Sequence, residues 1–198
     1  MSLKVLIGPM FAGKSSALQS IIRRHTALGW RIFTITHSTD TRYSETPLIV
    51  SHDQQQLPAF HSTSLMAMLS HPDYAASRLV IVEEGQFFPD LVEFVKAVTD
   101  RDRKACVVVG LDGDSERRPF GHMLEIIPLA EDVVKYKALC KLCGDGTEAA
   151  FTFAHAPTAT TVCVGGEERY VPLCRRHYLD KRYPLDKGVI DSVDVHAC

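Results

Sequence analysis

A glycine-rich segment near the start of the chain has the residue types and the spacing of a phosphate-binding loop. Gly8 and Gly13 are separated by four residues, and Lys14 and Ser15 follow directly. In such a loop the glycines let backbone N–H groups close around phosphate oxygens, the lysine reaches the outer phosphates and the serine hydroxyl ligates Mg²⁺. A plain glycine-rich turn is the alternative, and it does not account for the lysine and serine beside Gly13. We therefore predict that a nucleoside triphosphate is bound by Gly8, Pro9, Met10, Phe11, Ala12, Gly13, Lys14, Ser15 and Ser16.

Two adjacent glutamates are the second candidate for chemistry. Glu83 and Glu84 directly follow the apolar run Leu79–Val82, which predicts a buried strand. Open α/β sheets bind their ligands at the carboxyl ends of strands. One carboxylate placed there can hold Mg²⁺ through water, and its neighbour can accept the proton of an attacking hydroxyl. The alternative is an exposed acidic turn, which fits less well beside a phosphate-binding loop.

Two pairs of cysteine and histidine residues predict a metal centre late in the chain. Cys140 and Cys143 have the spacing of a zinc knuckle, and so do Cys174 and His177. Three thiolates and one imidazole complete a tetrahedron around Zn²⁺ and leave no open position for a catalytic water, so we predict a structural zinc. A redox-active CxxC pair is the alternative, but it does not explain the second pair. The other cysteines, Cys106, Cys163 and Cys198, are predicted to be reduced, with Cys106 buried in an apolar run.

The elements that must position these residues follow from short apolar runs separated by longer, helix-compatible stretches. We predict strands at Leu3–Ile7, Arg31–Thr36, Leu79–Val82 and Ala105–Val109, and helices at Lys14–Leu28, Ser64–Ser70 and Asp90–Val98. Strands that alternate with helices predict an α/β fold, here a P-loop doubly wound parallel sheet with helices on both of its faces.

The character of the sequence changes near residue 137. Beyond this point the chain is rich in cysteine and glycine, and the runs 151–153 and 160–164 predict short strands. We predict a nucleotide-binding domain at 1–137 and a small zinc-ribbon domain at 138–180, in which the loop closed by the metal forms a lid. Residues 181–198 contain Tyr-Pro and Lys-Gly breakers and are predicted to be a weakly ordered extension.

Composition and charge exclude some classes of function. The 198 residues carry a formal net charge of -2, so no basic surface for nucleic acid is indicated. No apolar run approaches the roughly 20 residues that span a bilayer, and the N-terminal residues do not have the pattern of a secretion signal. We therefore expect a cytoplasmic protein without a membrane or nucleic-acid partner.

Two further polar segments are less specific when each is considered alone. Asp40 and Arg42 follow the second predicted strand, and the arginine could neutralise phosphate charge, although such a pair is more often a surface salt bridge. Residues 111–121 follow the fourth strand and are compatible with an ordinary βα loop. Their meaning changes when they are considered in order with the other motifs.

Taken in order, these motifs resemble those of the zinc-ribbon (type II) thymidine kinases, and the resemblance runs from Gly8 to about Tyr178. The matching segments are the phosphate loop, Asp40-Thr41-Arg42-Tyr43, Glu84-Gly85-Gln86-Phe87-Phe88-Pro89, Leu111-Asp112-Gly113 with Arg118-Pro119-Phe120-Gly121, and the two zinc pairs. The resemblance implies ATP- and Mg²⁺-dependent phosphorylation of the 5′-hydroxyl of thymidine, and of deoxyuridine as a second substrate. It makes Glu84 the general base.

The resemblance also assigns the remaining site residues. Asp40 and Arg42 join the ATP site, and Glu83 joins Ser15 at Mg²⁺. The loop of the ribbon becomes a lasso that closes over the nucleoside and excludes water. The implied nucleoside-binding residues are Met10, Gln86, Phe87, Leu111, Thr152, Val164, Gly165 and Tyr170. A homotetramer and feedback inhibition by thymidine triphosphate are implied by the resemblance alone.

Three positions depart from the family pattern. Glu83 stands where the family usually has Asp, Ser115 where an aromatic is usual, and His177 where many members have a fourth Cys. The longer carboxylate changes the reach to hydrated Mg²⁺, and Ser115 alters one wall of the nucleoside pocket.

The competing hypothesis is a nucleic-acid-associated P-loop ATPase whose zinc ribbon contacts DNA or RNA, and the near-neutral charge argues against it. A zinc-ribbon interaction module with a degenerate nucleotide site is a third alternative, which the intact Lys14, Ser15 and Glu84 disfavour.

Overall fold

The computed structural model describes residues 1–38, 48–50, 56–155 and 168–183, and the structural statements below concern these residues. Predictions that fall on the other residues lie outside the described ranges. They include those for Asp40, Arg42, Cys163, Val164, Gly165, Cys198, the expected strand at 160–164 and most of the extension 181–198.

The described elements are twelve strands and four α-helices, with short 3₁₀ turns between them. The strands are β1 (Ser2–Ile7), β2 (Ile32–His37), β3 (Leu48–Val50), β4 (Gln56–Pro58), β5 (Phe60–Ser62), β6 (Leu79–Val82), β7 (Ala105–Val109), β8 (Asp132–Lys135), β9 (Ala138–Leu139), β10 (Glu148–Ala149), β11 (Phe151–Ala154) and β12 (Tyr170–Leu173). The α-helices are α1 (Lys14–Ala27), α2 (Pro72–Ala76), α3 (Leu91–Lys96) and α4 (Arg175–Arg182). The 3₁₀ turns are Met66–Ser70, Gly85–Phe87 and Ile127–Leu129.

The central sheet has six parallel strands in the order β5-β2-β6-β7-β1-β8. Its four inner strands are those expected from the apolar runs, so the predicted α/β architecture is confirmed. The edge strands β5 and β8 were not expected, because β5 has three residues and β8 carries a charged residue at each end. Since all six strands run the same way, the segments that follow β1, β6 and β7 meet at one edge of the sheet.

Successive side chains of a strand point to opposite faces of the sheet, and each face carries an apolar layer. On one face, Val5 packs in a cluster with Phe94 of α3. On the other, Leu6 and Ile81 pack in a cluster with Leu18 of α1. Helices therefore cover both faces, as a doubly wound parallel sheet requires.

The helices differ from the predictions mainly where prolines and helix ends interrupt them. The helix expected at Ser64–Ser70 is a 3₁₀ turn, and α2 begins at Pro72 immediately after it. Proline cannot continue a preceding helix but suits the first position of a new one. Helix α3 continues as a π-helical turn at Ala97–Arg101. Within the described ranges, no helix combines the length and apolar character needed to cross a bilayer.

The described residues of 138–182, called the ribbon below, form two short antiparallel hairpins and one helix. Strands β9 and β10 pair, and β11 pairs with β12. Helix α4 was not predicted, because its sequence is mostly charged and has only one buried side chain, that of Tyr178. The buried residues of the ribbon pack against Phe11 and Ala12 of the phosphate loop.

Two leucines, one within α1 and one just beyond its end, allow the packing of α1 on the sheet to be tested. Leu18 is fully buried between α1 and the sheet, whereas Leu28, just beyond the end of α1, is 70% exposed. We expect Leu18→Ala to lower the free energy of unfolding by about 3 to 5 kcal/mol because it opens a cavity. Leu28→Ala is the control and should change it by less than about 0.5 kcal/mol. Urea denaturation of both variants measures the difference, and similar values for the two would contradict the packing described.

Candidate active site

The phosphate loop connects the end of β1 to the start of α1, and its shape requires glycine at two positions. Gly8 has a φ of 137°, and a Cβ added there would lie 2.4 Å from the carbonyl oxygen of Tyr136. Gly13 precedes α1 with a φ of 78° and a left-handed backbone. The first turn of α1 contains no acidic side chain, so its positive end is suited to an anion.

The two polar side chains at the end of this loop have different partners, one within the loop and one at the carboxylate that follows β6. Lys14 Nζ donates hydrogen bonds to the carbonyl oxygens of Gly8 at 2.9 Å and Pro9 at 2.7 Å. Ser15 Oγ donates to Glu83 Oε1 at 3.3 Å. The structure therefore brings together the two residues that the sequence analysis associates with Mg²⁺.

Glu83 and Glu84 are adjacent in sequence but make different contacts. Glu83 directly follows the buried strand β6 and is 8% exposed. Glu84 is half-buried and has a left-handed backbone, with φ 55° and ψ 41°. Such a conformation costs a non-glycine residue about 1–2 kcal/mol. It turns the chain from β6 into the 3₁₀ turn, and the Glu84 carboxylate accepts a hydrogen bond from Gln86 Nε2 at 2.5 Å.

Several candidate nucleoside residues lie in the described part of the chain, and two of them, Phe87 and Leu111, have contacts near Glu84 or in the segments next to it. The half-buried ring of Phe87 has its centroid 5.7 Å from that of His37 and 5.6 Å from that of Phe120. The backbone N–H of Leu111 donates to the side chain of Gln86 at 3.0 Å. His37 was missed in the sequence analysis, because a histidine at a strand end carries no recognisable motif. Tyr170 is half-buried at the start of β12.

The loop after β7 contacts both the edge strand β8 and the ribbon. Asp112 forms an ion pair with Lys135 at 2.6 Å. The carboxylate of Asp114 accepts hydrogen bonds from the backbone and the side chain of Arg118. The carbonyl of Ser115 accepts a hydrogen bond from the hydroxyl of Tyr178 at 2.6 Å, so this position connects the loop to the ribbon. Lys135 and Tyr178 had no sequence signal, since their partners are distant in the chain.

The four predicted metal ligands converge in the ribbon. Their ligand atoms all lie within 4.8 Å of one another. His177 Nδ1 lies 3.3, 3.4 and 3.5 Å from the sulfurs of Cys140, Cys143 and Cys174, and the last two sulfurs are 3.8 Å apart. With Zn–S of about 2.3 Å and Zn–N of about 2.0 Å, the edges of a zinc tetrahedron are about 3.8 Å between sulfurs and about 3.5 Å between sulfur and nitrogen. The residues present therefore fit a tetrahedral metal ion.

Local structure explains both the convergence and the ionisation of this cluster. Cys174 caps α4 and His177 lies in its first turn, so both project from one end of the helix. Burial opposes ionisation of the Cys140 thiol, but hydrogen bonds from the Cys174 backbone and the His177 side chain outweigh it and lower its pKa to about 6. A thiolate is the form that binds metal. Cys106 differs, since it is buried in β7 and burial raises its pKa to about 12.

Comparison with known proteins identifies the family. A family model described as thymidine kinase matches residues 1–178. The chain belongs to the thymidine kinase family. It is 39% identical over 186 residues to a thymidine kinase of Oryza sativa subsp. japonica, covering 92% of this chain and 68% of that protein. It is 36% identical over 179 residues both to the thymidine kinase of Vaccinia virus (strain Western Reserve), with 90% and 97% covered, and to the cytosolic thymidine kinase of Homo sapiens, with 90% and 74% covered.

Membership of the thymidine kinase family identifies the class of chemistry. The chain is a kinase, a phosphotransferase that uses ATP and acts on an alcohol acceptor. This agrees with the presence of a phosphate loop beside two carboxylates. Phosphoryl transfer to a hydroxyl uses groups that bind the triphosphate and a carboxylate that acts on the acceptor. The Cys3His group adds a site that can hold a structural metal.

In this thymidine kinase family member, the ribbon directly supports the phosphate loop. The hydroxyl of Thr152 in β11 accepts a hydrogen bond from the backbone N–H of Met10 at 3.0 Å. Thr152 is 5% exposed, and Phe11 and Ala12 pack on the ribbon core beside it. The conformation of the phosphate loop therefore depends on the ribbon.

Removal of the Thr152 hydroxyl tests this support. We expect Thr152→Val to raise the KM for ATP several-fold and to lower the free energy of unfolding by about 1–3 kcal/mol, because the N–H of Met10 loses its partner. Thr152→Ser retains the hydroxyl and is the matched control. Steady-state kinetics and thermal denaturation measure both effects, and equal behaviour of the two variants would count against the contact.

Proposed function

We propose that this chain transfers the γ-phosphoryl group of ATP to the 5′-hydroxyl of thymidine, and also accepts deoxyuridine. The observation that carries the proposal is the separation of the two adjacent carboxylates. Glu83 contacts Ser15 of the phosphate loop, and Glu84 contacts Gln86 beside the candidate nucleoside residues. This supports separate roles for the two, one at the triphosphate and one at the acceptor hydroxyl.

The phosphate loop is proposed to bind the triphosphate of ATP through its backbone N–H groups and Lys14. The Lys14 ammonium now donates to two loop carbonyls, within reach of an anion enclosed by the same loop. In the proposal it exchanges these contacts for phosphate oxygens and offsets the charge that develops during transfer. Asp40 and Arg42, which lie outside the described residues, are proposed to complete the site.

Ser15 and Glu83 are proposed to hold Mg²⁺, directly or through water. A hydroxyl and a carboxylate oxygen 3.3 Å apart provide the hard oxygen ligands that Mg²⁺ prefers. Mg²⁺ held by these residues would supply positive charge to the phosphates of ATP. The additional methylene of Glu83, compared with Asp, is accommodated here by a contact with Ser15.

Glu84 is proposed to accept the proton of the 5′-hydroxyl as that oxygen attacks the terminal phosphorus. A general base must lie within hydrogen-bond reach of the proton that it removes. The Phe87 ring offers an aromatic surface for the thymine base, with Met10, Leu111 and Thr152 as further proposed contacts. Val164 and Gly165, outside the described residues, and Tyr170 are proposed to close the site against water.

Zinc is the metal that we propose for the Cys3His group. The donor set is soft and the measured separations suit a tetrahedron, so zinc would hold the ribbon against the phosphate loop and take no chemical role. We further propose, from the family resemblance, a homotetramer and feedback inhibition by thymidine triphosphate. From the sequence patterns themselves we propose a cytoplasmic location and the division of the chain at residue 137.

The primary test is turnover. Incubation of the protein with ATP, Mg²⁺ and thymidine should yield thymidine monophosphate, detected by chromatography. Glu84→Gln should lower kcat by about 10²- to 10⁴-fold, because it removes a general base, while ATP binding measured by calorimetry stays nearly unchanged.

Glu93→Gln in α3 is the matched control for charge removal, since Glu93 is exposed and lies outside both the phosphate loop and the turn that follows β6, and it should retain wild-type turnover. Substantial turnover by the Glu84 variant would refute its role as base. ATP hydrolysis that responds to polynucleotide but not to nucleosides would instead support the nucleic-acid-associated ATPase.

Metal analysis tests the ribbon. We expect about one zinc per chain by elemental analysis, and loss of that zinc in Cys143→Ala together with a lower melting temperature, because metal binding and ribbon folding are linked. Cys106→Ala removes a thiol outside the cluster and should retain the zinc. Wild-type protein without stoichiometric zinc would contradict the assignment of zinc to the Cys3His group.

A further inference from the structure

We propose that Gln86 is a positioning residue, whose side-chain amide orients the carboxylate of Glu84, and that it is not a ligand of the nucleoside. This inference rests on the proposed role of Glu84 as the base. It also reassigns a residue that the family resemblance groups with the nucleoside-binding side chains.

Both ends of the Gln86 amide have partners within the protein. Nε2 donates to Glu84 Oε2 at 2.5 Å, and Oε1 accepts from the backbone N–H of Leu111 at 3.0 Å. These two bonds determine the orientation of the amide, since its oxygen only accepts and its nitrogen only donates. The side chain thus links the candidate base on the β6 side to the loop that follows β7.

The surroundings of Gln86 leave little room for another arrangement. The residue is 4% exposed. A Cβ at Gly110 would lie 2.6 Å from Gln86 Oε1, and one at Gly121, where φ is 54°, would lie 2.1 Å from the Gln86 carbonyl oxygen. Both glycines therefore allow neighbouring backbone to pack closely around Gln86, and a residue enclosed in this way presents little surface to a substrate.

Glu84 needs such a partner because its own backbone does not restrict the carboxylate. Glu84 is half-buried and lies at a turn, and a glutamate side chain has several rotatable bonds. A base that points away from the hydroxyl for part of the time loses rate, and displacements near 1 Å can cost about a hundredfold. A hydrogen bond from Gln86 holds one carboxylate oxygen and so favours one orientation of the group.

Two variants separate the two hydrogen bonds. Gln86→Met keeps the approximate size and removes both bonds. Gln86→Glu keeps an acceptor for the Leu111 N–H but replaces the donor to Glu84 with a carboxylate that repels it. If Gln86 positions the base, both variants lower kcat by about ten- to a hundredfold, while the KM values for thymidine and ATP change by less than about twofold.

Phe87→Leu is the contrasting variant, since its ring is proposed to contact the nucleoside and its loss should raise the KM for thymidine. A Gln86→Met protein that raises the KM for thymidine and keeps kcat would make Gln86 a substrate ligand and overturn the inference. Gln86→Glu with wild-type kcat would show that only the Leu111 bond matters, and this also overturns it. Melting temperatures of both variants identify a folding defect, and Gln86→Glu keeps the inference testable if Gln86→Met does not fold.

A double-mutant cycle with Glu84→Ala provides the decisive comparison. Without a carboxylate to orient, Gln86→Met should lower the residual kcat by less than about twofold, because residues that act through one another are not additive. An equal loss in both backgrounds would contradict the inference. Wild-type protein that does not phosphorylate thymidine would defeat the proposed function itself, whereas an active wild type with unaffected Gln86 variants would defeat this inference alone.

Discussion

The left-handed backbone at Glu84 is the constraint on which the candidate active site depends. It turns the chain two residues after the end of a strand that is buried along its whole length, and the two consecutive carboxylates there contact different groups. Glu83 stays with the strand and meets Ser15, while Glu84 turns toward Gln86. The cost of this conformation, about 1–2 kcal/mol, is offset by the packing of β6 between its two neighbours in the sheet. The 3₁₀ turn that carries Gln86 begins directly after Glu84, so the backbone at Glu84 also determines where Gln86 lies.

The phosphate loop is constrained from two sides in a similar way. Gly8 lies against the carbonyl of Tyr136, which follows the edge strand β8, so the loop begins in a position that only glycine can occupy. From Met10 onward the ribbon holds the loop, because the hydroxyl of Thr152 accepts a hydrogen bond from the N–H of Met10, and Phe11 and Ala12 pack on the ribbon core. Parts of the chain that are distant in sequence therefore hold the candidate triphosphate site in place. A metal held by the Cys3His group would act on this site indirectly, since its ligands belong to the segments that form the ribbon core.

Sequence alone predicted the parts of the molecule that depend on local patterns. The inner strands, the phosphate loop, the glutamate pair and each of the two metal-ligand pairs have a motif or an apolar run within about ten residues. The edge strand β8 and helix α4 lack such a pattern, because β8 is ordered by pairing with β1 and α4 by its contacts around Tyr178. The bond between Gln86 and Leu111 spans 25 residues, and the contact between Tyr178 and Ser115 spans 63. Contacts of this kind depend on the assembled sheet, so spacing in the sequence does not reveal them.

These long-range contacts form a continuous route between the metal centre and the candidate base. Cys174 and His177 fix the start of α4, and Tyr178 in the next position donates to the carbonyl of Ser115. Ser115 belongs to the loop that begins at Leu111, whose N–H is bound by Gln86, and Gln86 in turn contacts Glu84. Each step is a hydrogen bond or a short stretch of backbone, so a displacement of α4 changes the geometry of the next group. If the ribbon closes over the nucleoside as proposed, its movement would reach the candidate base through these contacts, and binding and chemistry would then depend on the same residues.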